Sequence, residues 1–353
     1  MSLAMLEPDP SGALGRLREV CTEQGLEALG GRIERLMGLV SSDMDAYAKE
    51  LDEIECNDHK VGRSAAHLLA LGGKRLRPMC VGLAARLGEG FSAGAFELGL
   101  AAELVHMATL LHDDVVDQGE VRRGQPAARL LYGNAASVFA GDWLLVEALR
   151  RVQNSRVPGQ LSALLDTISR MIEGEALQLE RRGSVAVDRE AYFAVVEGKT
   201  AALFQWALSA GGRAGSLSNL ECERLDRFGY NLGVAFQLVD DLLDYAGDSR
   251  DTGKQLFSDL AEGKVTYPLI LGLEREPALH GSLEAYLAAD GDERASIAEQ
   301  LVRSLHELGA VADTRRCAHQ HGDAALETLK DFPACPARTS LETVVLATVR
   351  RDR

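Results

Sequence analysis

The chain has 353 residues, of which 46% are hydrophobic and 26% charged, a globular composition that excludes a disordered, collagen-like or low-complexity protein. The formal net charge of −15 argues against nucleic acid or an anionic membrane surface as a partner, because both attract basic faces. Only 5% of the residues are aromatic and 9 are proline, which favours helices over β-rich architectures.

Apolar residues recur with helical spacing from residue 31 onward, and short connections rich in glycine separate the segments. Residues 1–28, with Pro8 and Pro10, are predicted to form a loosely ordered extension. The predicted helices span residues 31–54, 60–70, 76–88, 92–117, 134–153, 157–181, 188–211, 217–246 and 265–275, with weaker ones after 282. Because no internal repeat or linker divides them, we predict one all-α domain over residues 29–353, a bundle of ten or more helices.

The cysteine pattern, the lengths of the apolar runs and the N-terminal residues indicate where in the cell the protein resides. Six cysteines lie far apart without a C-x-x-C pair, a pattern typical neither of a disulfide framework nor of a zinc site. No fully apolar run reaches the roughly 20 residues that span a bilayer. Glu7 and Asp9 stand where a signal peptide is basic and then apolar. We therefore expect a soluble, cytoplasmic protein with no membrane span.

Two acidic clusters share the spacing D-D-x-x-D, each at the end of an apolar helical segment. They are Asp113, Asp114 and Asp117, and Asp240, Asp241 and Asp244. Carboxylates four residues apart repel each other on one helix face and face the negative end of the helix dipole, so a cation must compensate them. Such oxygen ligands are typical of Mg²⁺ bound with substrate phosphates. One cluster alone is also compatible with a solvated helix end, whereas two favour a metal site.

Basic residues lie near both acidic clusters in the sequence. They are Lys74, Arg75, Arg77, Arg122, Arg123, Lys199, Lys254 and Lys264. Neighbouring glycines allow backbone N–H groups to approach a phosphate, and arginine donates two hydrogen bonds at once. Each one alone is typical of a surface charge, but together with the acids they predict an anion site. His106 lies on the same helix face as Asp113, and Gln237 lies on the same face as Asp240. Both are candidates for the site, and a structural role in the core is the alternative for each.

Four segments occur in an order and spacing that resemble the trans-isoprenyl diphosphate synthases of the polyprenyl synthetase family. They are GGKRLRP at 72–78, LHDDVVD at 111–117 followed by RRG at 122–124, GKT at 198–200 and FQLVDDLLD at 236–244. The resemblance runs from about residue 30 to the C-terminus, with Phe257 in place of a common glycine. It implies helices around a deep central cavity, a homodimer, and Mg²⁺-dependent head-to-tail (1'-4) condensation of isopentenyl diphosphate with an allylic diphosphate.

The same resemblance implies a role for each matching residue. The six aspartates bind three Mg²⁺ ions together with the allylic diphosphate. Isopentenyl diphosphate is held by Lys74, Arg77, His106 and Arg123. The allylic diphosphate is held by Arg122, Lys199, Lys254 and Lys264, while Thr200 and Gln237 stabilise the allylic cation. The implied catalytic set is Asp113, Asp117, Asp240, Asp244, Lys199, Thr200 and Gln237.

Product length is predicted from the residues about one helical turn before Asp113. In this family a bulky aromatic residue there closes the product tunnel early, whereas here the pair is Ala108 and Thr109, both small. We therefore expect a long all-trans polyprenyl diphosphate of about C30 to C50, with octaprenyl the central expectation, unless the two residues are small only for helix packing. The expected tunnel floor is drawn from Phe139, Trp143, Leu164 and Ile168.

Several other functions remain alternatives. A farnesyl or geranylgeranyl diphosphate synthase would share every motif. A terpene cyclase or a head-to-head condensing enzyme needs no isopentenyl diphosphate site, so the basic residues around Arg77 argue against it. A non-catalytic subunit of a heteromeric synthase would not need two complete acidic clusters. Cys317, His319 and His321 predict no metal site, because only the outer two share a helix face.

Overall fold

The computed structural model describes residues 27–184, 188–245 and 258–350, and these residues form the all-α bundle that the sequence predicts. Of the predicted N-terminal extension only residues 27 and 28 are described, and they begin the first helix. The helices are α1 (Glu27–Asp52), α2 (Lys60–Ala70), α3 (Leu76–Ala85), α4 (Ala93–Val116), α5 (Ala128–Tyr132), α6 (Asn134–Ser155), α7 (Gln160–Glu180), α8 (Arg189–Val196), α9 (Ala202–Ala214), α10 (Asn219–Leu243), α11 (Ser258–Ala261), α12 (Tyr267–Arg275), α13 (Leu279–Ala288), α14 (Gly291–Glu307), α15 (Ala310–Thr328) and α16 (Pro336–Val349).

Two short features interrupt the helices. A π-helical turn, Glu197–Ala201, joins α8 to α9. A hairpin of β1 (Val121–Arg122) and β2 (Gln125–Pro126) follows α4, with antiparallel pairing. Both features contain residues of the predicted site.

Helix α4 lies at the centre of the bundle and packs against α3, α6 and α9. The Ser92 side chain caps its N-terminus by accepting a hydrogen bond from the Ala95 N–H at 3.2 Å. Among the described helices, α4 is also the one that is long and apolar enough to cross a membrane. However, 67% of its most apolar window is buried in the bundle. That burial is typical of a core helix.

Helix α10 has the same organisation as α4. A capping box of Ser218 and Glu221 begins it, and it packs against α9 and α15. The second acidic cluster lies at its C-terminal end. Asp117 and Asp244 are the C-terminal caps of α4 and α10. Each acidic cluster therefore lies at the negative end of a buried helix dipole, as the sequence predicts.

The remaining helices close the bundle around this pair. Helix α16 packs on α1, and α15 packs on α10. The five cysteines in the described segments are free thiols. His321 of α15 hydrogen-bonds the side chain of Asn231 at 2.9 Å, which is a structural contact between helices.

Candidate active site

A cavity of about 490 Å³ lies where α4 and α10 end. Its walls also come from the end of α7, from α8, from the π-helical turn and from the residues after α11. The polar side chains that line it include Asp113, Asp117, Arg122, Gln178, Tyr192, Lys199, Thr200, Gln237, Asp240, Asp241, Asp259 and Lys264. The structure thus brings both acidic clusters and most of the residues predicted for the allylic diphosphate to one cavity. Lys254 and Phe257 lie outside the described residues.

The π-helical turn positions Lys199 and Thr200. Single π turns inside helices are frequent at functional sites. Two glycines allow this one to contact α7 closely: a Cβ at Gly174 would lie 2.7 Å from the Lys199 backbone N, and one at Gly198 would lie 2.9 Å from the Gly174 Cα. As a result the Lys199 Nζ lies 3.7 Å from an Asp113 carboxylate oxygen and also pairs with Glu175.

Two aspartates of the first cluster differ in their surroundings. Burial raises the pKa of Asp113 to about 6, opposed by the charge of Lys199. Asp114 is only 1% exposed, and its Oδ1 accepts hydrogen bonds from the Arg122 Nε at 3.0 Å and Nη2 at 2.5 Å. Arg122, predicted to hold a diphosphate, therefore binds a buried carboxylate here.

Asp117 contacts two cations. Its Oδ1 accepts a hydrogen bond from Arg182 at 2.7 Å, and its Oδ2 accepts one from Lys264 at 2.6 Å. Arg182 also donates to the carbonyl oxygens of Val116 at 3.0 Å and Glu262 at 2.7 Å. Arg182 thus joins the end of α4 to the loop that carries Lys264.

The second cluster contains a hydrogen-bonded chain that the sequence did not predict. Asp241 is 2% exposed and accepts hydrogen bonds from the Tyr192 hydroxyl at 2.6 Å, the Gln237 amide at 2.9 Å and the Tyr267 N–H at 3.2 Å. The Thr200 hydroxyl donates to the Gln237 carbonyl oxygen at 2.8 Å. Thr200 and Gln237, predicted to act together, are therefore in direct contact.

Asp259, a further acid of the cavity, was also missed. Its backbone N–H donates to an Asp244 carboxylate oxygen at 3.2 Å. Burial, followed by the charges of Asp244 and Asp241, raises the pKa of Asp259 to about 8. At neutral pH the metal-free site therefore retains a proton on this carboxyl.

Replacing Asp259 with Asn is expected to remove a pH-dependent loss of stability. The pKa in the folded state, about 8, exceeds the ordinary 3.8, so the folded state keeps a proton that the unfolded state releases, and stability falls as pH rises between these values. Asn cannot ionise. In urea unfolding with a chelator, Asp259→Asn should gain on the wild type by at least ~2 kcal/mol from pH 5 to pH 8. The exposed Asp323→Asn is the matched control, and parallel pH curves for Asp259→Asn and wild type would contradict the assignment.

A basic cluster lies beside the middle of α4, at Glu103 and His106. The Arg77 guanidinium lies 4.5 Å from the centre of the Phe204 ring, and its buried Nε has no hydrogen-bond partner. Glu103 of α4, 2% exposed, supplies a negative charge to Arg77 and Arg123. Burial and the two arginines lower the pKa of His106, so its imidazole is neutral at pH 7.

The loops that carry this cluster depend on backbone geometry. Arg75 and Arg123 have φ values of 47° and 52°, in the left-handed region. A Cβ at Gly73 would lie 2.7 Å from the Arg123 Nη2, so glycine leaves room for that guanidinium. The GGKRLRP and RRG segments are therefore in contact, and Lys74 of the first segment is exposed.

The carboxylates fit metal ions that bind together with a diphosphate. Within the segments described, no three acidic, Cys or His side chains are already grouped to hold an ion. Mg²⁺ commonly uses only one or two protein carboxylates and completes its sphere with water and substrate phosphates. Asp113, Asp117 and Asp240 line the cavity beside Lys199 and Lys264, so carboxylates suited to Mg²⁺ and cations suited to a phosphate are present together.

The residues predicted to govern product length lie on α4. Ala108 is fully buried, and the half-buried Thr109 donates its hydroxyl to the His106 carbonyl oxygen at 2.8 Å. Leu164 is fully buried, whereas Phe139 is 61% exposed. Phe139 therefore does not form an interior floor within the single chain, because it lies on the outer face of α6.

Comparisons with known proteins agree with this geometry. The family model described as "Polyprenyl synthetase" matches residues 58–305. The chain is 32% identical to octaprenyl diphosphate synthase of Escherichia coli over 91% of this chain and 99% of that protein. It is 30% identical to geranylgeranyl diphosphate synthase of Saccharolobus solfataricus, over 89% and 99%. The crystal structure of a polyprenyl synthase from Caulobacter crescentus, complexed with calcium and isoprenyl diphosphate, superposes with a TM-score of 0.85 at 32% identity and covers 98% of this chain and 100% of that one.

Proposed function

The chain belongs to the polyprenyl synthetase family and is a prenyltransferase, and on this premise we propose that it catalyses the Mg²⁺-dependent 1'-4 condensation of isopentenyl diphosphate with an allylic diphosphate. The observation that carries the proposal is the single cavity in which two D-D-x-x-D clusters meet Lys199, Lys264, Thr200 and Gln237. Carboxylates and lysines together suit ions bound with an anionic substrate.

The first half of the reaction breaks the bond between the allylic carbon and its diphosphate oxygen. Asp113, Asp117 and Asp240 would hold the Mg²⁺, three ions with the diphosphate bound, which supply positive charge to the departing group. Lys199, Lys264 and Arg122, with Lys254, bind the same diphosphate. Lys199 and Lys264 now pair with Asp113 and Asp117. Carboxylates still outnumber cations among the described residues that line the cavity, which leaves negative charge for Mg²⁺ to neutralise.

The second half forms the new carbon–carbon bond. Arg77, Arg123, Lys74 and the neutral His106 bind the diphosphate of isopentenyl diphosphate, which places its double bond beside the allylic carbon. The Thr200 and Gln237 oxygens face the positive charge that develops there. The double bond attacks the allylic carbon, and a proton then leaves the new chain, with the released diphosphate as the acceptor.

The product we propose is a long all-trans polyprenyl diphosphate, about C30 to C50 with octaprenyl the central value. The small Ala108 and Thr109 on α4 support it, because neither blocks the path away from Asp113. A shorter farnesyl or geranylgeranyl product is the second candidate, since one relative of similar identity is named for geranylgeranyl diphosphate.

We also propose that the protein acts as a cytoplasmic homodimer. Helices α6 and α7 pack together and expose large apolar side chains, namely Val138, Phe139, Val146, Leu161, Leu165 and Ile172. Large apolar side chains exposed on two neighbouring helices favour association with a second copy.

Product analysis of the purified chain tests the function. Farnesyl diphosphate, isopentenyl diphosphate and Mg²⁺ are incubated with the chain alone, and the dephosphorylated products are separated by chromatography. Products of C30 to C50 support the proposal, and C15 to C20 products support the shorter-chain alternative. No product from the chain alone would indicate a non-catalytic subunit, and a hydrocarbon from the allylic substrate alone would indicate a cyclase.

The two diphosphate sites are expected to respond to different substitutions. Lys74→Ala should raise the KM for isopentenyl diphosphate, and Lys199→Ala the KM for the allylic substrate, each by roughly ten- to a hundredfold for one charge-assisted hydrogen bond. Steady-state kinetics with each substrate varied in turn measures this. Lys49→Ala, on the exposed face of α1, is the control. A rise of the same KM in both variants would show that the division of the site is wrong.

A further inference from the structure

Asp241 also lines the cavity, but its hydrogen-bond donors differ from those of Asp113 and Asp117. Both of its carboxylate oxygens are already hydrogen-bonded, Oδ2 by the Tyr192 hydroxyl and the Tyr267 N–H, and Oδ1 by the Gln237 amide. The residue is 2% exposed. The donors to Asp241 are all neutral groups, whereas Asp113 contacts the Lys199 ammonium group and Asp117 binds the cations of Arg182 and Lys264.

The contact with Asp241 determines which way the Gln237 amide points. A carboxylate can only accept hydrogen bonds, so the side-chain NH₂ of Gln237 must face Asp241. The carbonyl oxygen then lies on the other side, where the Thr200 hydroxyl donates to it at 2.8 Å. Thr200 and Gln237 both line the cavity, so the amide presents its oxygen on the substrate side.

We propose that Asp241, held by Tyr192, is a positioning residue that keeps the carbonyl oxygen of Gln237 directed at the reacting carbon. The inference rests on the proposed function. The partial negative charge of a carbonyl oxygen stabilises the positive charge that develops on the allylic carbon, whereas a reversed amide would present its positive NH₂ group. Asp241 thus acts through Gln237, and not as the Mg²⁺ ligand that its place in the D-D-x-x-D motif predicts.

A double-mutant cycle tests this role. Asn at position 241 can turn either its oxygen or its NH₂ toward Gln237, so Asp241→Asn leaves the amide free to reverse. The variant should lower kcat about tenfold, the effect of a lost hydrogen bond to a charged group. The KM values of both substrates and the Mg²⁺ concentration for half-maximal rate should stay within about twofold. Because the effect passes through the amide, adding Asp241→Asn to Gln237→Ala should change kcat no further.

Tyr192→Phe is the second variant, because it removes one donor from the same carboxylate and leaves the second cluster intact. It should lower kcat by a smaller factor, again only when Gln237 is present. Circular dichroism and thermal unfolding establish that each variant is folded. If Asp241→Asn does not fold, the cycle of Tyr192→Phe with Gln237→Ala decides the question.

Other outcomes overturn the proposal. If Asp241→Asn raises the Mg²⁺ requirement, as Asp240→Asn should, Asp241 is a metal ligand. If the kcat losses multiply in the double variant, or if both Asp241→Asn and Tyr192→Phe keep the wild-type kcat, Asp241 does not act through Gln237. Absence of prenyl transfer by the wild-type chain would instead contradict the proposed function, so the two failures are distinguishable.

Discussion

Replacing Asp113 or Asp240 with Asn is expected to lower kcat at least about a hundredfold, because each removes a carboxylate that would hold Mg²⁺ against the departing diphosphate. Interactions made with the developing charge affect kcat more than ground-state binding. The measurement is steady-state turnover over a wide range of Mg²⁺ concentration, with the exposed Asp323→Asn as control. Near-normal turnover of either variant at saturating Mg²⁺ would contradict the assignment of the metal site.

The first of these substitutions, Asp113→Asn, should not destabilise the metal-free protein. Burial raises the pKa of Asp113 to about 6, so ionisation of this group at pH 7 costs folding free energy, and Asn removes that cost. Lys199 retains its partner Glu175 in the variant. We expect the free energy of unfolding of Asp113→Asn to be unchanged or higher by ~1 kcal/mol at pH 7. A loss of activity that accompanies a large loss of stability would instead indicate a structural role.

The helices of this fold could be predicted from apolar spacing because most are long and one-sided. The predicted segment 92–117 corresponds to α4 at 93–116, and the predicted segment 217–246 contains α10. The predicted helix 188–211 is instead divided by the π-helical turn at Glu197–Ala201. At this turn Gly198 packs closely on Gly174 of α7. The apolar periodicity of the sequence does not record such a contact between residues distant in the chain.

The site was predictable where its residues form motifs, and not where tertiary packing recruits single side chains. These side chains come from α7, the turn after it, α8 and α11, and none has a spacing that marks it in the sequence: Glu175, Arg182, Tyr192 and Asp259. Glu103, on α4 three residues before His106, did carry a signal in the sequence. It is a charged residue within an apolar helical segment, and such a residue needs a buried partner.

Burial also separates residues that the D-D-x-x-D motif presents as equivalent. The middle aspartates, Asp114 and Asp241, are almost fully buried and bind Arg122 and Tyr192 respectively. In a helix the second residue of the motif points about 100° away from the first. In the first cluster, Asp113 and Asp117 therefore share the cavity while Asp114 turns into the protein. In the second, Asp240 and Asp241 line the cavity and Asp244 is buried.

Replacing Thr109 with Tyr is expected to shorten the product from about C30 to C50 to C15 or C20. Thr109 lies four residues before Asp113 on α4, about 40° from its face and roughly 6 Å along the axis. A chain that grows away from the metal site should pass it. A phenol ring there would fill the space that the small side chain leaves open.

A matched variant separates the bulk of the ring from the loss of the hydroxyl. Thr109→Val keeps the size of the side chain and removes only its hydrogen bond to the His106 carbonyl oxygen, so its products should stay long. Chromatography of the dephosphorylated products, with total isopentenyl incorporation measured in parallel, reads both length and activity. Unchanged long products from an active Thr109→Tyr would place the tunnel elsewhere and would show that Ala108 and Thr109 are small for helix packing alone.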